Sequence, residues 1–556
     1  MMKWSQLLCA DTLNRHAQDN HYEGMSMDPF ERDYYTIVTS TYFRRLQRKT
    51  QVYVLDENDY SRNRLTHSLE VSVIAEMMGR RVGKFVEERE SELPDRFVDN
   101  LAMVLRCAGL LHDLGNPPFG HSGEDYIRDY FLEHKSDYLD KLDEQMWLDF
   151  INFDGNAHNL RIATKLGKSS KIGSDYYGME LTCAVLNSII KYPISSLAYT
   201  HRTVDENTGK KLKGKIGYYH AEDWIVGILT KKTGTKAEDG AILKDPIMLL
   251  MEAADDIAYA TADVDDAIAK KLLRKEDVLL LLKDNVPEEI VRDDEKNAER
   301  NDDRIPSTLK YVRETTMDDV VHHFEDNYDS IMEGTYSGEL IDQSTCDIKG
   351  LKKLLRDIYK KRDEDTERNL NAKAKIFDIL DYLIKSVTSE DQTFHQYLVS
   401  RELKQYIDKG ESEADNACKY GGMREKEEYY HKLLAVVDFV SGMTDSYVSI
   451  FSKNLHSDAY WKLKEDEYKS FCLKAITHVS EYKEANHAFD YIGNVDDWDD
   501  YELSVILRSY LHNGQVRNAF EGKKIIPKLY RKLKDNIGND SILTPDEILQ
   551  LDALPD

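Results

Sequence analysis

The sequence predicts an all-helical protein: a chemical core in residues 1–270 and a second helical region in residues 271–556. Three observations point to this. Apolar residues recur with a 3.6-residue period in almost every long segment. Sustained two-residue alternation, the mark of a half-buried strand, is scarce. Helix start and stop residues fall at the edges of the periodic runs.

Taken in order, "RLTHSLEVSVIAEMMGRRVGKFV" places His67, Val71, Ile74 and Met78 on one face. "FVDNLAMVLRCAGLLHDLG" is apolar at Leu101, Val104, Leu105, Ala108 and Leu111, and Gly115 with Pro117 ends it. A further helix is expected from Ser122 through "SGEDYIRDYF". "KLKGKIGYYHAE", residues 211–222, fits either a short hairpin or a loop. "DPIMLLMEAADDIAYATADVDDAIAKKLL" opens on an Asp245-Pro246 cap and first turn. Two charged or glycine-punctuated stretches, 292–308 and 408–428, predict surface loops or boundaries.

The bulk composition narrows the class. With 556 residues, 41% hydrophobic and 32% charged, the chain fits a soluble globular protein, either of two or more average domains or of one large core with additions. No apolar run approaches the roughly 20 residues of a membrane span, and the N-terminal stretch does not read as a signal peptide. Six scattered cysteines without a CxxC argue for a reduced, cytoplasmic setting and against a thiolate zinc site. The net charge of −27 weighs against non-specific nucleic-acid coating. An acidic protein acting on an anion needs a metal or clustered Lys and Arg where that anion sits.

The chemistry concentrates in "LLHDLGNPPFGHSGE", residues 110–124. A His-Asp dipeptide alone is weak evidence, since on the order of one is expected by chance in a chain this long. By itself His112 could equally be a helix C-terminal histidine favoured by the macrodipole. Two further features change the weighing. His67 lies on the apolar face of its helix, where a neutral imidazole is an ordinary metal ligand, although a core histidine bonded to a carbonyl is the commoner case. Asp255, Tyr259 and Asp263 share one helix face at i, i+4 and i+8, flanked by small apolar residues. A carboxylate buried there needs a cation or hydrogen bonds; a solvated acidic stripe is the alternative. Together His67, His112, Asp113 and Asp255 make a nitrogen-and-oxygen donor set suited to one divalent ion, with two of six positions left open.

These residues resemble the H…HD…D pattern of the HD-domain metal phosphohydrolases. "FRRLQRKTQV", "NRLTHSLEV", "HDLGNPPFGHSGE", "FDGNAHNLRI", "EAADDIAY" and "SGMTDSYV" look more closely like the bacterial deoxyguanosine triphosphate triphosphohydrolases. The likeness covers roughly residues 28–270 and returns near 435–450. It implies that His67, His112, Asp113 and Asp255 bind one ion, manganese or magnesium first, with iron or zinc as alternatives. It implies that His121 and Glu124 are needed for turnover, the carboxylate orienting the imidazole; an N-terminal capping role is the plainer alternative. Arg64 is implied to contact phosphate, Tyr259 and Asp263 the sugar, and Gln51 the 3′-hydroxyl. His158 stands where many relatives carry glutamine. Lys215 and Tyr218 are weaker candidates for phosphate contact.

The activity so implied is hydrolysis of a deoxynucleoside triphosphate, dGTP first, to deoxynucleoside and inorganic triphosphate, by attack of metal-bound water at the α-phosphate. The resemblance further implies a homo-oligomer, a hexamer by analogy, and tuning by single-stranded DNA or a nucleotide effector. Two other readings compete: a nucleotide monophosphatase or phosphodiesterase on the same metal core, and a nucleotide- or DNA-responsive regulator with a structural metal.

Overall fold

The computed structural model describes residues 1–13, 27–51, 62–167, 178–200, 215–298, 304–363, 367–389, 395–396, 399, 403–419, 423–477, 500–513, 516–517, 520, 525–534 and 543–552. Among them the chain is helical throughout; extended pairing is limited to four isolated bridges. By compactness the chain divides into two units, Met1–Ser452 and Lys453–Asp556, and residue 270 falls within the first. No single described helix is long and apolar enough to cross a membrane.

Helix α1 (Pro29–Thr39) opens on a capping box, with Asp28 accepting from the backbone of Phe30. Helix α2 (Arg64–Arg89) also begins at a box: the Asn63 side chain accepts from Thr66 N, and the Thr66 hydroxyl accepts from Asn63 N. That start places His67 in the first turn. His67, Val71, Ile74 and Met78 are all buried, as the periodicity predicts. Helix α3 (Phe97–Leu111) lies along α2 and ends one residue before His112. Their approach is very close at Gly109, where a Cβ would meet the Ser72 Cα at 2.6 Å. Any side chain there would force the helices apart and separate the two histidines they carry.

Helix α4 (Gly120–Glu133) starts two residues before the expected Ser122. Its cap, Phe119, is left-handed (φ 66°) and makes no side-chain cap bond. Helix α5 (Gly155–Arg161) is capped by Asp154, and helix α6 (Pro246–Ala269) by Asp245, which accepts from Ile247 N. The 215–222 stretch takes the loop alternative, with one bridge from Ser195 to Tyr218 and a 3-10 turn at His220–Glu222; residues 211–214 lie outside the described residues.

Both expected loops are narrower than predicted. Glu288–Ala298 is helical, and helix α7 (Pro306–Asp326) starts at the proline; 299–303 lie outside the described residues. Helix α8 (Lys404–Lys419) fills much of 408–428. Its polar face and Gly410 suggested a loop, yet Tyr406 and Ala414 are buried, and a Cβ on Gly410 would sit 3.0 Å from the His431 Cβ. Close packing on helix α9 (Arg424–Ser441) outweighs the low intrinsic helix preference of glycine.

One buried ion pair ties α9 to the core. Arg161, at the end of α5, grips Asp438 through Nε and Nη2 at 2.8 Å each, and its Nη1 donates to Glu222 at 2.8 Å. All three side chains are at most 1% exposed. Losing one partner of such a pair leaves a buried charge uncompensated. Asp438→Asn should therefore lower the stability of the unit by about 3–5 kcal/mol in chemical denaturation, whereas an exposed carboxylate such as Glu288 changed to Gln should cost almost nothing.

Candidate metal centre and catalytic loop

Four side chains from α2, the end of α3 and α6 converge. His67 Nε2 lies 3.2 Å from Asp255 Oδ1, and His112 Nε2 lies 3.5 Å from the same oxygen. His112 Nε2 is 3.7 Å from Asp113 Oδ1, and the two rings are edge-to-face with centroids 5.3 Å apart. One donor atom each from His67, His112 and Asp113 all fall within 4.8 Å of one another. Asp255 reaches both imidazoles without joining that mutual set.

The donors fit a metal ion. His112 Nε2, which faces Asp113 and Asp255, is buried with no hydrogen-bond partner, which is costly in a protein interior. The 3.5 and 3.7 Å separations are too long for hydrogen bonds. They suit neighbouring ligands on one small dication, which sit about 3 Å apart when each bond is about 2.1 Å. His112 Nδ1 donates to Gly109 O at 2.8 Å, so its Nε2 lone pair faces the cluster. Both carboxylates are held ionised. Burial would raise Asp113, but the Arg64 guanidinium, 2.7 Å away, with His112 and His67 holds it well below the usual range. Burial would also raise Asp255, but Lys191 (3.2 Å from its Oδ2) and the two histidines hold it low.

The loop after Asp113 carries the second pair. His121 Nδ1 lies 3.0 Å from Glu124 Oε2, with the histidine side chain 73% exposed and the glutamate 5%. Glu124 Oε1 accepts from Gly155 N at 2.8 Å, fixing the carboxylate against α5. Burial would raise Glu124, but the bond to His121 together with Lys215 and Gly155 brings it down to about 2. Gly120 has a left-handed backbone (φ 59°) that favours glycine, and a Cβ there would meet the Arg64 Nη2 at 2.6 Å. Arg64 therefore lies between the loop and Asp113.

The remaining expected residues scatter more. Gln51 is half-buried, with its Oε1 enclosed and unpartnered. Asp263 is buried on α6, and its charge acts on His67; Tyr259 is half-buried one turn earlier. Lys215 is raised despite burial by Tyr192, Asp154 and Glu124, so it belongs with the His121–Glu124 pair. Burial and the charge of Asp223 push the Tyr218 hydroxyl up to about 12, against a hydrogen bond with Ser195. His158 is fully buried among Phe153, Tyr219 and Asp438. Burial, Arg161 and Lys49 hold it neutral, and neither ring nitrogen has a hydrogen-bond partner. Sequence reasoning missed Lys191, Lys49 and Asn116; the last donates from Nδ2 to Asp113 Oδ1. "NSIIKYP" gives no sign that its lysine faces a carboxylate on a helix 64 residues away.

This helical core, with its His…His-Asp…Asp set, is that of an HD domain, and the HD domain model matches residues 64–149. The chain is 33% identical over 489 residues to a deoxyguanosinetriphosphate triphosphohydrolase-like protein of Listeria innocua, covering 82% of this chain and 99% of that one. It is 30% identical over 462 residues to a protein of the same name from Pseudomonas aeruginosa, covering 82% and 98%. It is 26% identical over 480 residues to the deoxyguanosinetriphosphate triphosphohydrolase of Yersinia pseudotuberculosis, covering 75% and 92%. The chain belongs to the deoxyguanosinetriphosphate triphosphohydrolase-like family.

Two outcomes follow from the geometry. His112→Ala and Asp113→Ala should each abolish stoichiometric manganese binding in a titration followed by electron paramagnetic resonance, while helical circular dichroism is retained. Glu124 is depressed in the fold from its ordinary 4.5 to about 2, so its contribution is complete above 4.5 and is lost as pH falls from there through about 2. The stability advantage of the parent over Glu124→Gln should shrink across that window in acid denaturation; an unchanged difference would place Glu124 outside this linkage.

Proposed function

We propose that the chain hydrolyses deoxynucleoside triphosphates, dGTP first among them, at the bond between the α-phosphorus and the 5′-oxygen, releasing deoxynucleoside and inorganic triphosphate. The observation that carries this reading is a convergent set of two imidazoles and two carboxylates followed, in the same loop, by an exposed histidine held by a buried glutamate. The names of the relatives support the substrate class.

His67, His112, Asp113 and Asp255 would hold one divalent ion, manganese or magnesium by their mixed donors, with iron or zinc as alternatives. Such an ion supplies positive charge to the phosphoryl oxygens and acidifies water. The chain's own residues do the rest. His121 is fixed through Nδ1 by Glu124, which leaves Nε2 to give a proton to the departing 5′-oxygen. Arg64, paired with Asp113, and Lys215, whose charge acts on Glu124, supply cationic groups suited to the phosphates. Gln51 offers its enclosed Oε1 to the 3′-hydroxyl. Tyr259 and Asp263, one turn apart on α6, would pack on the deoxyribose and disfavour a 2′-hydroxyl. On the family likeness we also propose a homo-oligomer, a hexamer, with contacts from residues 271–556 and with nucleotide or single-stranded DNA as effector.

Phosphorus NMR of a dGTP reaction with manganese should show tripolyphosphate as the phosphorus product. Pyrophosphate or orthophosphate in its place would favour a diesterase or monophosphatase. His121→Ala should retain stoichiometric manganese and lose about 10²–10⁴-fold in kcat; turnover at the parent rate would remove His121 from the chemistry.

A further inference from the structure

The "SGMTDSYV" stretch, 441–448, takes no part in the chemistry above, yet it reaches the catalytic loop. Asp445 is 3% exposed and opens helix α10 (Asp445–Leu455). A carboxylate in a first helical turn is ordinarily explained by the macrodipole. Here both oxygens are engaged far along the chain. Oδ1 accepts from Phe119 N at 2.9 Å, 326 residues away. Oδ2 accepts from Thr50 N at 3.0 Å and from the Thr50 hydroxyl.

A second tie runs beside it. The buried Lys49 donates from Nζ to Asn116 O at 2.5 Å and to Ser441 O at 2.7 Å. Arg45 Nη1 donates to Gly442 O at 3.2 Å. The loop is thus gripped at Asn116 and at Phe119, on either side of Pro117-Pro118. The 442–444 turn also lines a cavity of about 290 Å³ together with Arg45, Tyr406 and Phe439.

What is gripped matters. Phe119 holds a left-handed backbone that bulky residues rarely adopt, and Gly120 and His121 follow it directly. Such a conformation persists only where the surroundings over-determine it. We propose that Asp445 is a positioning residue for the reaction: by holding the Phe119 amide against Thr50, it sets the direction in which the chain presents His121 and registers Gln51 beside the same loop. This rests on the reading of His121 given above. Asp445 touches none of the four metal donors and acts through the loop backbone.

The test is a double-mutant cycle in the full-length protein. Asp445→Asn puts an amide donor where an acceptor faced Phe119 or Thr50. It should lower kcat about 10²-fold with manganese affinity unchanged. Placed on His121→Ala, it should cost almost nothing more, because the group it aims is gone. Thr50→Val, the gentler variant, should show a smaller loss with the same non-additivity, and it carries the cycle if Asp445→Asn does not fold. An equal loss in the presence and absence of His121, or no loss in kcat, would overturn the proposal. Hydrogen exchange of the peptide spanning 114–125 reads the clamp without activity: Asp445→Asn should speed exchange there, and unchanged protection would overturn the clamp. If His121→Ala alone keeps the parent rate, the functional reading falls, and the exchange measurement still decides the clamp.

Discussion

The structure is organised around one electrostatic constraint: two imidazoles and two carboxylates face each other inside the protein with separations of 3.2–3.7 Å. Enclosed nitrogens without partners and ionised carboxylates are each unfavourable there. A dication between them would be met by the His112 Nε2 lone pair and by both carboxylates. The close crossing of α2 and α3 at Gly109 fixes the spacing of His67 and His112 before any ion binds. Asp255 arrives on α6, which packs against both. The donors are therefore pre-positioned by helix packing, so little reorganisation is needed on binding.

Charge is distributed in the same spirit. The chain carries a net −27, which would repel a nucleoside triphosphate. Near the donors the balance differs. Arg64 sits on Asp113, Lys191 on Asp255, and Lys215 acts on Glu124. Arg64 and Lys191 are held by ion pairs to those carboxylates, and all three cations would add positive potential where phosphates would lie. The global charge and the site charge thus answer different questions, solubility in one case and substrate in the other.

Local periodicity is what made part of this legible. His67 and Asp255 can be assigned to helix faces from spacing alone, although only His67 is fully buried and Asp255 is half-buried. The proline pair and Gly120 mark an unusual turn without revealing its geometry. Lys49, Lys191 and Asp445 were not legible, because each acquires meaning from a partner tens to hundreds of residues away. The start of α4 was misplaced for the same reason: its first residue is set by a carboxylate from the far end of the unit, not by the nearby serine. Helix α8 was missed because half its surface is polar and its glycine reads as a break until α9 is placed against it.

The long-range ties also explain why a metal centre drawn from α2, α3 and α6 comes with helices to residue 452. An HD core can bring its donors together by itself, since they lie on neighbouring helices. The loop that follows cannot hold a left-handed phenylalanine by itself, because nothing within it accepts the Phe119 amide. Arg161 to Asp438 and Phe119 to Asp445 join the same late segment, α9 and the turn after it, to α5 and to the loop. Glu124 in turn rests on Gly155 at the start of α5. The His121–Glu124 pair is consequently tied from both sides to one segment: His121 through the backbone before it, and Glu124 through the helix that Asp438 anchors. Position and stability are coupled by that arrangement, so weakening α9 would loosen the His121–Glu124 pair, whereas His67, His112 and Asp255 keep their own packing of α2, α3 and α6.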